Sequence, residues 1–240
     1  MFKLANNINL KGIKIFIDPG HGGSRPDQNI SGSEIGTTGY SGYFTEEDGV
    51  YEKDINLNIS LYLKGFLEEA GASVKMSRIN DVAVSLEQRT NQANSFNPDL
   101  FISVHNNATT DPQVGGTMVL YPPRGRTDGT QELSEIMAKK ISQKLGIEDL
   151  GAVLRDDLFV LNNTKVPAIL VEGAFMTNPD EEEMLKSNQN QRLIAEGIVE
   201  AIEEFKGKNP EFTQKKRFNL TNFILLGVLA GTGVYIYRRL

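Results

Sequence analysis

Between Ile13 and Phe205 the chain alternates two hydrophobic patterns, and this alternation constrains its fold more than any other feature. Short apolar runs recur at Ile13–Ile17, Ser73–Ser77, Leu100–Val104, Thr117–Tyr121 and Ala168–Val171, rich in Ile, Val, Leu or Phe. Such runs read as strands buried on both faces. The stretches Glu52–Ala70, Val84–Phe96, Gln131–Leu145 and Glu181–Phe205 carry apolar residues at three- and four-residue spacing, the signature of helices with one buried stripe. Gly71 and Gly146 stand where two of these helices should stop. The expected fold is α/β, a twisted, mostly parallel sheet flanked by helices. Residues 22–49 are dense in Gly, Ser, Thr and Asp and read as a long surface loop, a length usually kept for function.

Composition removes several kinds of chemistry. The chain has no cysteine, which excludes a disulfide framework, a thiol nucleophile and thiolate-bound metal. Residues 207–240 hold six Lys/Arg against Glu211, a net +5, so a whole-chain charge of −6 leaves −11 on residues 1–206. A body this acidic argues against a nucleic-acid surface, which depends on clustered cations.

The chain has two histidines, and both fall at strand ends: IDPGHGG places His21 after the first apolar run, and SVHNN places His105 at the end of the third. Ligands of open α/β sheets sit at the carboxyl ends of the strands, so the two imidazoles are candidates for one shared site. Taken singly, each reads first as a loop or strand-end residue satisfied by a local hydrogen bond. A catalytic zinc site usually takes three His or carboxylate ligands. Glu52, which opens the first long helix, is the candidate third ligand; a carboxylate there also simply suits the positive end of a helix dipole. Glu172 closes the apolar run AILVE, where a lone carboxylate is costly without a partner such as a metal-activated water.

IDPGHGG (17–23), Glu52 with Asn56, SVHNN (103–107) and VEGAFMTNPDE (171–181) together resemble the zinc-dependent N-acetylmuramoyl-L-alanine amidases of the family-3 type, which cut peptidoglycan. Arg78, Leu86, Arg89 and Asn94 match that family's stretch after its second strand. The resemblance covers about residues 13–205. It implies one Zn2+ held by His21, Glu52 and His105, with Glu172 as the catalytic carboxylate and Asn107 as a substrate-holding residue. The loop 22–49 is longer than the family's usual connection, and Ala174 stands where the family commonly has Gly. Two other readings remain beside it. One is a zinc carboxypeptidase-type hydrolase, with Arg155 gripping a terminal carboxylate; the other is an inactive wall-binding module.

The C-terminal stretch carries a different expectation. Phe218 to Tyr237 is a run of 20 residues without charge, bracketed by Lys215-Lys216-Arg217 and Arg238-Arg239. A helix of that length covers about 30 Å, the hydrocarbon thickness of a bilayer. The chain is therefore expected to comprise a catalytic domain (1–206), a linker (207–217), a single transmembrane helix (218–237) and a basic tail (238–240). Gly227 and Gly231 form a G-x-x-x-G pair suited to weak self-association. The first residues lack the apolar core of a secretory leader. The expected setting is a membrane-anchored enzyme reaching the cell wall, in a bacterial envelope or on a phage virion.

Overall fold

A computed structural model describes residues 8–23, 44–45, 50–209 and 212. The described elements are, in order, β1 (Lys14–Pro19), β2 (Phe44–Thr45), β3 (Val50–Tyr51), α1 (Glu52–Glu69), β4 (Ser73–Met76), α2 (Leu86–Phe96), β5 (Leu100–Asn107), β6 (Thr117–Tyr121), α3 (Gly125–Asp128), α4 (Thr130–Leu145), β7 (Asp149–Leu154), α5 (Phe159–Asn163), β8 (Ala168–Phe175), α6 (Pro179–Lys186) and α7 (Asn188–Lys208). Six strands form one sheet in the order β4-β1-β5-β8-β6-β7. β4, β1, β5 and β8 run parallel, β6 runs antiparallel to β8, and β7 is parallel to β6. β2 and β3 form a separate antiparallel ladder; the rest of the long 22–49 segment beyond Gly23 lies outside the described residues.

Helices cover both faces. On one, α1 presents Ile55, Ile59, Leu63, Phe66 and Leu67, all buried, to Ile15 and Ile17 of β1 and to Ile194, Ile198 and Ile202 of α7. On the other, Phe16, Phe101, Leu120 and Leu170 pack with Ala93 of α2 and with Val160 and Leu161 of α5. Phe16 stacks on Phe101 at 5.9 Å between ring centroids. With both faces covered, the central strands are apolar on both sides, which is why they read as runs rather than alternations.

Two helix boundaries depart from the periodicity. α2 begins at Leu86, because the Ser85 hydroxyl accepts from the Gln88 N–H while the Gln88 side chain accepts from the Ser85 N–H, a reciprocal cap that ends the preceding loop. The single helix expected over Glu181–Phe205 is two helices broken at Ser187, whose backbone is extended. Asn190 donates to Met184 O at 3.0 Å and Gln191 to Leu185 O at 2.7 Å, so side chains satisfy the last carbonyls of α6.

The expectation that the fold includes a membrane-crossing helix is corrected. Among the described residues no helix is long and apolar enough to cross a bilayer. The longest of them, α7, is amphipathic: Ile194, Ile198, Ile202 and Phe205 are buried in the domain, while Glu196, Glu200 and Glu204 pair with lysines of α4. Residues 218–237, with Gly227 and Gly231, lie outside the described residues. α7 runs to Lys208, and Phe212 packs edge-on against Phe205 at 5.2 Å.

Candidate metal centre

The carboxyl ends of β1 and β5 and the start of α1 converge. Hydrogen bonding of Gly20 N–H to Val104 O carries the β1–β5 pairing to the edge of the sheet and sets His21 beside His105. Their rings lie 4.7 Å apart between centroids at 80°. Glu52, buried at the first position of α1, reaches between them: Oε2 lies 3.1 Å from His21 Nε2 and Oε1 3.1 Å from His105 Nδ1. One ligand atom from each residue lies within 4.8 Å of the others. Two imidazole nitrogens and a carboxylate oxygen form a donor set able to hold a metal ion, of the kind that suits zinc.

Charge within the group is compatible with a bound cation. Burial alone would raise the Glu52 carboxyl, but His21 and His105 hold it well below its ordinary value, so it is a carboxylate. Burial lowers His105 despite its bond to Glu52, which favours the neutral ring a metal requires. On β8, Glu172 stands in register with His105, so both side chains project from the same sheet face. Its Oε2 is shielded from solvent and has no hydrogen-bond partner among the described residues. Burial, and then the charge of Glu52, push Glu172 well above the usual carboxylate range.

The N-acetylmuramoyl-L-alanine amidase family model matches residues 15–204. The chain belongs to this family. It is 34% identical over 198 residues to the N-acetylmuramoyl-L-alanine amidase LytC of Bacillus subtilis, covering 82% of this chain and 36% of LytC. It is 37% identical over 195 residues to the amidase CwlM of Bacillus licheniformis, covering 79% of this chain and 67% of CwlM. The crystal structure of an N-acetylmuramoyl-L-alanine amidase from Clostridium difficile 630 superposes with a TM-score of 0.71 at 30% identity, covering 84% of this chain and 98% of that one. The chain thus spans about a third of LytC's length and about two thirds of CwlM's. The family is one of hydrolases.

In this amidase-family chain the histidine loop is held from beneath by two buried arginines. Arg78 donates to Pro19 O, Gly20 O and Lys53 O, at 3.1, 2.8 and 2.7 Å. Arg89 donates to Pro19 O and His21 O, at 2.7 and 2.6 Å, and to Asp18 Oδ1 at 2.6 Å. Burial, together with the Arg89 charge, lowers the Arg78 guanidinium to about 10, still protonated at neutral pH. Asp18, also buried, accepts from Ser77 and Ser103. His21 needs such a clamp because its φ is +58°, a left-handed conformation costing on the order of 1 kcal/mol for a residue with a Cβ. Gly20 has no substitute, since a Cβ there would sit 2.3 Å from the His105 ring.

Further hydrogen bonds orient Glu52. Asn56 Nδ2 donates to its Oε1 at 3.0 Å, Asn106 Nδ2 donates to Asn56 Oδ1 at 2.9 Å, and the Asn106 N–H donates to the same Oε1 at 3.2 Å. Asp81 ties the two chain segments together, accepting from Gly23 N–H and from Lys53 Nζ. Glu181 has a structural part: its two oxygens accept from Gly116 N–H and Phe175 N–H, joining the ends of β6 and β8.

Asn107 lies beyond a register shift two residues from His105, with its Nδ2 3.6 Å from Met118 Sδ; Met118 is in turn the β6 partner of Glu172. Arg155 is placed differently, at the end of β7, where it bonds Asp157 through both Nε and Nη2 at 2.7 Å. The sequence marks Asp18, Ser103, Asn106 and Glu181 only as members of the motifs and gives Arg78 and Arg89 no role. One signal is readable: Asp18 directly follows the apolar triplet Ile15-Phe16-Ile17, and an aspartate entering a core demands a cation.

Proposed function

We propose that this chain hydrolyses the amide joining the lactyl group of N-acetylmuramic acid to L-alanine in peptidoglycan, with His21, Glu52 and His105 as ligands of one zinc ion and Glu172 as the catalytic carboxylate. The observation that carries this reading is the buried His-Glu-His group beside a shielded carboxylate with an unpartnered oxygen. Membership of an amidase family agrees with it. When bound, zinc supplies Lewis acidity, lowering the pKa of water toward ~7 and polarising an amide carbonyl.

The residues supply what the ion does not. Glu172 Oε2 takes a proton from the attacking water and passes it to the departing alanine nitrogen, so that the amine leaves neutral. Burial and the Glu52 charge raise its pKa, which favours its taking up the water proton and holding it for the departing amine. Glu52, kept ionised by His21 and His105 and oriented by Asn56 and Asn106, binds the cation rather than the proton. Arg78 and Arg89 keep His21 in position before the ion arrives, so ligand ordering is complete in the fold. Asn107, at the rim, offers its amide to the substrate.

A digest of isolated wall material by the full chain tests this. The expected products carry new N-terminal L-alanine with no increase in reducing sugar ends. New reducing ends, or release of C-terminal residues alone, would overturn the assignment.

A further inference from the structure

The sheet register places a cation on the same face as Glu172, one strand-length away. Glu172 on β8 stands opposite Met118 on β6, and Met118 stands opposite Gly151 on β7. Side chains alternate along a strand, so Gly151, Val153 and Arg155 share the face that carries Met118 and Glu172. Val153 and Met118 both pack on the apolar cluster of that face, in agreement with this parity. Arg155 extends the ladder, its N–H donating to Tyr121 O at 2.9 Å. Four residues of strand separate Arg155 from the level of Glu172, about 13 Å of backbone. The Arg155 charge acts to lower the Glu172 carboxyl against its burial. Met118 and Val153, both half-buried, lie on that face between them.

Arg155 already presents its guanidinium to a carboxylate. Nε and Nη2 each meet one oxygen of Asp157 at 2.7 Å, the parallel two-bond geometry arginine uses for this group. The partner is only two residues away and its side chain is 59% exposed. Such a surface pair adds little stability, so an incoming carboxylate can take the place of Asp157.

We propose that Arg155 is a substrate subsite: the peptide arm runs from Glu172 over Met118 and Val153 and delivers a side-chain or α-carboxylate to the Arg155 guanidinium. An extended peptide covers about 3.3–3.6 Å per residue, which puts that carboxylate two to three residues beyond the scissile amide. The proposal rests on the amidase reading, since it takes Glu172 to mark the scissile bond.

The test uses the full, zinc-loaded chain and two synthetic muramoyl peptides, identical except that the carboxylates of the second and third residues are free in one and amidated in the other. Wild type should cleave the free-acid peptide with kcat/KM about tenfold or more higher, through KM. Arg155→Gln should bring the free-acid peptide down to the level of the amidated one, and Arg155→Lys should keep part of the preference. The non-cleaving Glu172→Gln chain should bind the free-acid peptide more tightly in calorimetry, and Glu172→Gln with Arg155→Gln should bind both alike. A preference that survives Arg155→Gln, or none in the wild type, overturns the subsite while leaving the amidase reading standing. Cleavage of neither peptide by wild type overturns both.

Discussion

Replacing Glu172 by Gln should make the metal-free protein more stable while removing most of its activity. The shielded Oε2 has no hydrogen-bond partner, and burial together with the Glu52 charge raises the carboxyl well above 4.5. A group whose folded-state pKa exceeds its unfolded value binds more protons in the folded chain, so wild-type stability is full below about 4.5 and falls as pH rises toward the raised value. Gln copies the neutral form and escapes that loss. Ionising a buried carboxyl costs about 1.4 kcal/mol for each unit by which its folded pKa exceeds its unfolded one. At about 2–4 °C per kcal/mol for a domain of this size, the variant should melt roughly 3 to 6 °C higher near neutral pH for each such unit. The assay is thermal unfolding of both proteins in excess chelator from about pH 4 to about pH 8, where the linkage slope is read directly. The advantage should be present at the upper end and vanish at the lower. A variant that melts no higher than wild type near pH 8, or whose advantage is the same at pH 4, would refute the reasoning. Its hydrolytic rate on peptidoglycan should fall on the order of 10²-fold or more.

Three other outcomes follow from the site. His105→Ala should lose zinc, because two remaining ligands hold it poorly, and elemental analysis of the purified variant checks this. Gly20→Ala should displace the His105 ring, since the added Cβ would lie 2.3 Å from it, and should weaken zinc binding in a chelator competition while circular dichroism stays that of a folded domain. Asp18→Asn leaves the buried Arg89 guanidinium without its carboxylate and should cost about 3–5 kcal/mol in denaturant unfolding, a loss that a surface change such as Asp157→Asn should not produce.

The candidate donor set was legible for a local reason. Each ligand comes from a different segment, yet each is marked locally: His21 by glycines after a strand, His105 by an apolar run before it, Glu52 by the start of a long amphipathic stripe. Arg155 illustrates the reverse case. The sequence offers it only as the carboxylate-gripping residue of the carboxypeptidase-type alternative, and its bearing on Glu172 depends on the pairing of β7 with β6 and of β6 with β8.

Sequence by itself determined the elements whose signal is local. The buried strands β1, β5, β6 and β8 and the stripes of α1 and α4 are written in hydrophobic periodicity, which each segment carries whatever its neighbours do. Other features were decided by tertiary structure. β7 is not marked by periodicity because it is an edge strand that opens on Asp149 and contains Gly151 at φ 73°, and only pairing with β6 makes it a strand. The reversal of β6 against β8 cannot be read from either strand, since the same apolar runs serve parallel and antiparallel neighbours. The break at Ser187 depends on Asn190 and Gln191 reaching back to α6 rather than on any change in apolar spacing. The two arginines beneath the histidine loop are the clearest instance. Nothing around Arg78 or Arg89 in the chain names Pro19, Gly20 or His21 as a partner, and the contacts exist because β1, β4 and α2 bring residues about 60 to 70 positions apart into one buried space where every guanidinium and carbonyl must find a partner.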